Sequence, residues 1–172
     1  MKKEIVILVN RAGRRIGVSE KLEAHRKGLL HRAFSIFLFN ETGEMLLQQR
    51  ATAKYHFGGL WSNACCSHPR PGEQVRSAAH RRLREELGIA CPLKISGNMV
   101  YQFVDGKSGL TEHEFDYLFT GLYHGEVPFN RQEVMAVKWM PVKELEKRMI
   151  TRPQQFTPWF RAITHQAGFF RK

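Results

Sequence analysis

Cysteine is scarce, with three in 172 residues. So low and odd a count does not make a disulfide framework, and the lack of any CxxC pair removes the usual structural zinc and dithiol redox motifs. No apolar run approaches the ~18 residues of a membrane-spanning helix. The apolar stretch from Ile5 to Val9 is too short for a signal-peptide core, and Glu4 interrupts the basic start. A cytoplasmic location is the default expectation. No repeat, low-complexity tract or Pro/Ser linker divides the chain, so a single domain over residues 1–172 is expected. Acidic residues are also in deficit: 16 against 27 lysines and arginines, a net charge of +11. That balance predicts an anionic partner, whether nucleic acid, membrane surface or phosphorylated small molecule, with a diffuse basic surface as the plainer explanation.

What is present reads as an alternation of strands and helices. Strands are expected at Glu4–Val9, Leu93–Val104, Glu112–Leu122 and Val134–Met140. "RAFSIFLFN" and "MLLQQR", joined by the turn "NETGE", read as a hairpin. A basic connector with helical potential runs from Ser19 to Leu30. Helical periods are expected over Gly72–Leu87, Val142–Met149 and from Pro158 towards Gly168. The order suggests an α/β sandwich with a mixed sheet rather than a doubly wound parallel one.

Three features bear on chemistry. On the Gly72–Leu87 helix, Val75, Ala78, Ala79, Leu83 and Leu87 share one face at ~100° per residue. Glu86 falls near the middle of that stripe and Arg82 beside it. A carboxylate there is costly unless paired or bound to a cation. An Arg82–Glu86 pair at i,i+4 spacing and a metal or diphosphate site both satisfy that need. In "TEHEFDYLF", strand alternation puts Glu112, Glu114 and Asp116 on one face. Such a face is more often solvated; the alternative is convergence on a cation, or crowding that raises one pKa. His25, His31 and His68 are each more readily core or surface residues than ligands. Three imidazoles with a Glu-x-Glu would suit octahedral Mn²⁺, Zn²⁺ or Fe²⁺ better than Mg²⁺. Lastly, "NACCSHP" sets Cys65 beside Cys66 and His68 two residues on.

The segments "WSNACCSHP", "RRLREELG", "TEHEFDYLF" and "FTPWF" resemble the type I isopentenyl-diphosphate isomerases, in register from about Glu4 to Trp159. The resemblance implies a Nudix-like α/β/α sandwich with a mixed sheet. It makes Cys66, not Cys65, the catalytic thiol, and Glu114 the catalytic acid. Tyr101 is the tyrosine that assists it if a one-residue insertion near "VDGKSG" is allowed; without one the position falls on Gln102. It implies that His25, His31, His68, Glu112 and Glu114 hold one Mn²⁺ or Zn²⁺, and that Glu86 holds one Mg²⁺ against the substrate diphosphate. Lys21, Arg50, Lys54 and Arg82 match the diphosphate-binding cations, and Trp159 an aromatic near the isoprenyl tail. The implied reaction interconverts isopentenyl and dimethylallyl diphosphate by a 1,3-proton shift.

A Nudix hydrolase is the near alternative. Its box would place glycine at Ser67 and glutamate at Arg82, so the motif is present but altered where hydrolytic metals are held. A nucleic-acid-binding module is the distant one, motivated by charge alone, with no helix-turn-helix or RNP signature. The expected partner is therefore a small isoprenyl diphosphate, with no nucleic acid or membrane, and a monomer or weak homodimer.

Overall fold

The computed structural model describes residues 3–54, 56–166 and 168. The elements are β1 (Ile5–Val9), β2 (Arg15–Glu20), α1 (Lys21–Lys27), β3 (His31–Phe39), β4 (Glu44–Arg50), β5 (Trp61–Asn63), β6 (Cys65–Ser67), α2 (Val75–Leu87), β7 (Lys94–Val104), β8 (Thr111–Leu122), β9 (Val134–Pro141), α3 (Val142–Thr151) and α4 (Pro158–Gln166), with a 3₁₀ turn at Pro153–Gln155. The last helix was expected to run on towards Gly168; Ala167 lies outside the described residues. No helix among the described residues is long and apolar enough to cross a membrane.

β3 is the axis of a mixed sheet. It pairs in parallel with β8 from His31↔Glu114 to Phe39↔Leu122, and β8 pairs antiparallel with β7. β3 is buried on both sides, as its near-continuous apolar run requires. Phe34, Ile36 and Leu38 pack under α2 with Ala78, Ala79, Leu83 and Leu87. Phe37 faces the other way, into a second core with Leu145, Phe160 and Ile163 of α3 and α4. The layers are thus helix, sheet, helix.

The expected β3–β4 hairpin is only a pivot. The strands pair at Phe39↔Met45 and then splay apart, β4 going to β9 and β5. Residues 61–67 fill the opening: β5 pairs with β4, and β6 crosses to β3 through Ser35↔Cys66. β5 and β6 are too short to show a period in the sequence. β2 also went unread, because Ile16 and Val18 lie exposed in an edge ribbon on β1. α2 starts at Val75 rather than Gly72, because Gly72 takes φ 83°, outside the right-handed helical region.

Candidate active site

Cys65 and Cys66 are adjacent residues of β6. Neighbours on a strand point to opposite faces. Cys65 is fully buried in the core under α2, while Cys66 is half-buried on the α4 side. The Cys66 thiol donates to Asn63 Oδ1 at 3.0 Å and lies 3.4 Å from Ser35 Oγ. Asn63 spends both amide protons on the carbonyls of Ile36 and Cys65, so its oxygen is fixed as an acceptor. Ser35 in turn donates to Asp116 Oδ2 at 2.7 Å. Burial pushes the Cys66 thiol up to about 12, and the Asp116 carboxylate adds to this. Burial also raises Asp116 well above the usual carboxylate range, with Glu114 reinforcing it.

Glu112, Glu114 and Asp116 face inward and are all buried, so the solvated-face alternative fails. The sheet register brings their partners. His31 is the β3 neighbour of Glu114, and Tyr101 its β7 neighbour. The Tyr101 hydroxyl hydrogen-bonds Glu114 Oε2, while Gln102 points outward and is exposed. Position 101 therefore meets the glutamates. Burial pushes the Tyr101 phenol well above its ordinary value, with Glu114 next in effect.

The histidines converge here from three elements. His25 Nδ1 donates to Lys21 O at 2.7 Å, and His31 Nδ1 to Leu29 O at 2.8 Å. A carbonyl only accepts, so in each neutral ring the Nε2 lone pair faces the cluster. His31 Nε2 and His68 Nε2 lie 3.2 Å apart, and His68 Nε2 is 2.8 Å from Glu114 Oε1. Lone pairs and carboxylates packed this way, out of water, fit a bound cation. Burial lowers His68 to about 4, which leaves a neutral imidazole. Burial alone would raise Glu112 and Glu114, but the facing imidazoles hold both below the usual range.

The five expected ligands fall in two overlapping groups that share His25. His25, His31, His68 and Glu114 make a group whose donor atoms lie within 4.8 Å of one another; Glu112 stands in a second group with His25 and His56. His56 is the residue that sequence reasoning missed. It comes from a Gly-Gly loop and carries no spacing signal.

At the other end the cations gather. Arg82 Nη2 reaches Glu86 Oε1 at 2.5 Å and Glu133 Oε1 at 3.3 Å, and Lys54 pairs with the other Glu133 oxygen. Gln48 Nε2 donates to Glu86 Oε2 at 3.3 Å, and Lys21 bridges to Glu4 at 2.9 Å. Arg50 is more committed. Its Nη2 and Nε donate to the carbonyls of His56 and Phe57, and its guanidinium sits 5.2 Å from the Trp159 ring centroid. The helix pairing and the convergence on this site thus coexist: Arg82 and Glu86 are both an ion pair and part of its wall. Glu133 is a second residue the sequence did not flag.

One cavity of about 70 Å³ joins both ends, lined by Lys21, Lys54, Arg82, Glu86, Cys66 and Trp159 among others. It also touches Arg50, His56, His68, Tyr101, Glu112 and Glu114, while His25 and His31 lie behind its wall.

The NUDIX domain family matches residues 29–160. The chain is 48% identical over 165 residues to the "Isopentenyl-diphosphate Delta-isomerase" of Burkholderia multivorans, covering 96% of this chain and 93% of the relative. The chain belongs to the isopentenyl-diphosphate Delta-isomerase family. A second member of this isomerase family, "Isopentenyl-diphosphate Delta-isomerase 2" of Photorhabdus laumondii, is 44% identical over 96% of this chain and 93% of its own length. The fold is shared with solved proteins of distant sequence. DR0079 from Deinococcus radiodurans superposes with TM-score 0.78 at 18% identity, over 95% of this chain and 99% of that one. A MutT protein from Methanosarcina mazei superposes with TM-score 0.67 at 19% identity, over 83% and 96%.

Proposed function

We propose that this chain interconverts isopentenyl and dimethylallyl diphosphate in isoprenoid biosynthesis, with Cys66 and the Glu114–Tyr101 pair on opposite sides of the reacting alkene. The observation that supports this best is one small cavity that has a thiol at one wall, a carboxylate–phenol pair at another, and a cation cluster at its end. An unactivated alkene is a poor base. Its protonation at the terminal carbon gives a tertiary carbocation, and loss of a proton from the carbon next to the diphosphate-bearing carbon completes the shift. The proton that enters and the one that leaves need separate groups, one per face.

Glu114 would deliver the entering proton in the forward direction and Tyr101 would hold its carboxyl in place. Cys66 would receive the leaving proton as a thiolate, with one proton shared between Cys66 and Glu114 so that Glu114 carries it when Cys66 does not, and with Ser35 and Asn63 fixing the sulfur. The roles exchange in the reverse direction. The face of Trp159, which lines the cavity, would favour the cation by ~0.5–2 kcal/mol or more when dry. Lys21, Lys54, Arg82 and Arg50 would anchor the diphosphate in place of Glu133 and Glu4.

His25, His31, His68, Glu112 and Glu114 would hold a Mn²⁺ or Zn²⁺. When bound it supplies positive charge that offsets the buried carboxylates and sharpens the acidity of a proton on Glu114. Glu86 would share a Mg²⁺ with the diphosphate oxygens, a hard cation that is usually held by one or two carboxylates plus substrate phosphates. Arginine at position 82, where hydrolytic Nudix sites carry a metal-binding glutamate, favours gripping the diphosphate over cleaving it. The reading places the protein in the cytoplasm as a monomer or weak homodimer, acting on a small isoprenyl diphosphate and on no nucleic acid or membrane.

The test is incubation with isopentenyl diphosphate and Mg²⁺. Acid-labile dimethylallyl product should form, and activity should be lost when elemental analysis shows the tightly held metal removed. Phosphate release faster than double-bond movement would overturn the assignment.

A further inference from the structure

We propose that His56 is a positioning residue of the metal site: it fixes the orientation in which Glu112 serves the ion. This rests on reading the histidine–glutamate cluster as a metal site, and adds to it a residue outside the five ligands inferred above. Glu112 is shared between two imidazoles. His56 Nε2 is in hydrogen-bond contact with Glu112 Oε1, and His25 Nε2 lies 3.3 Å from Oε2. All three side chains are buried. A carboxylate gripped at one oxygen by an N–H donor cannot rotate, and it presents its other oxygen to a cation. Here that other oxygen is the one beside His25, which also belongs to the His31, His68 and Glu114 donor group. His56 itself lies outside that group, and an imidazole nitrogen that donates its proton to a carboxylate has no lone pair left for an ion. Positioning therefore fits the geometry better than direct ligation.

The loop around His56 is built to hold it. Arg50 clamps the carbonyls of His56 and Phe57 at 3.1 and 3.2 Å. The Phe57 N–H donates to Asp105 Oδ2 at 3.4 Å. Phe57 adopts φ 49°, a left-handed conformation that is costly for an aromatic residue. Such strain persists where the surroundings over-determine it, and it gathers at functional sites. Gly58 completes the wall: a Cβ there would meet Thr52 O at 2.9 Å. The backbone that carries and follows the imidazole is thus fixed.

The experiment uses the full chain loaded with Mn²⁺. Retention is measured by competition with a chelator, and bound imidazole nitrogens are counted by pulsed EPR. His56→Ala should weaken Mn²⁺ retention by ~10–100-fold, the usual effect of losing a residue that supports a ligand. His56→Gln, whose amide N–H reaches the same carboxylate oxygen, should recover most of it. The imidazole count should stay at three in wild type and both variants. Wild-type retention in His56→Ala would overturn the proposal. So would a count of four in wild type that falls to three in both variants, because His56 would then be a ligand. If His56→Ala fails to fold, the proposal stands or falls on His56→Gln, which must keep tight Mn²⁺. Wild-type protein that binds no Mn²⁺ or Zn²⁺ would remove the metal site itself, a failure seen before any variant is made.

Discussion

The two ends of the cavity solve opposite electrostatic problems. At the histidine end, paired strands bury three carboxylates almost completely, and the compensating groups are neutral or weakly basic imidazoles. At the other end, a helix, a loop and a strand edge gather arginine and lysine that stay partly exposed and already carry carboxylate partners. The first end has an excess of buried lone pairs and fits a cation that remains. The second is charge-balanced without a ligand and fits an anion that comes and goes. Proton chemistry needs the dry end, where water does not level acids and bases. Diphosphate exchange needs the wetter end, where ion pairs are weak enough to swap.

Substitutions should therefore act on different kinetic constants at the two ends. Cys66→Ala removes a group from the dry end and should lower kcat by at least ~10²-fold, the low end for one acid–base group. Cys65→Ala touches only the core under α2 and should stay within a few-fold in a steady-state assay. If the two ranked the other way round, the inward and outward faces of β6 would be misassigned.

Arg82→Glu acts at the exchange end. A unit charge pair at 4 Å is worth about 4 kcal/mol at an effective dielectric of 20, so reversal beside a diphosphate should raise KM by ~10²-fold or more while kcat falls less. Loss confined to kcat would mean that Arg82 is not a ground-state anchor. No efficient diphosphate hydrolysis should appear, since a hydrolase also needs a placed water.

The smallest effect concerns Glu133 and pH. Burial alone would raise its pKa, but Lys54 and Arg82 hold the carboxyl below the usual value. A depressed folded-state pKa gives stability that is present above the unfolded value of ~4.3 and lost as pH falls through the folded one. Glu86 also faces Arg82 and shares this field. Thermal melts of Glu133→Gln should therefore lose up to ~1 kcal/mol at neutral pH, and the gap to wild type should close below about pH 4. A gap that widens in acid would reverse the sign of this linkage.

Much of this division could be read in advance from residue types, but not from order alone. The buried glutamate on α2 was legible because a charge inside an apolar stripe violates its pattern. The inward turn of Glu112, Glu114 and Asp116 was not, since strand alternation gives two faces and does not say which one meets a core. The choice between Tyr101 and Gln102 depended on the β7–β8 register, which no local signal encodes. His56 was invisible for a different reason: an isolated histidine in a glycine loop has no period, and its partner lies on another strand.

The parallel pairing of β3 with β8 has a consequence for how the chain reaches its native state. His31 and Glu114 touch only because strands far apart in the sequence lie side by side, with β4, β5, β6, α2 and β7 formed between them. Closing so long a segment costs entropy before any contact repays it, and parallel pairs of this kind form slowly. The candidate donor set is therefore expected to form late in folding rather than to nucleate it. An ion that binds only the finished arrangement stabilises it by mass action. Its effect belongs on the unfolding rate, because an interaction absent from the transition state slows escape from the native basin without hastening arrival.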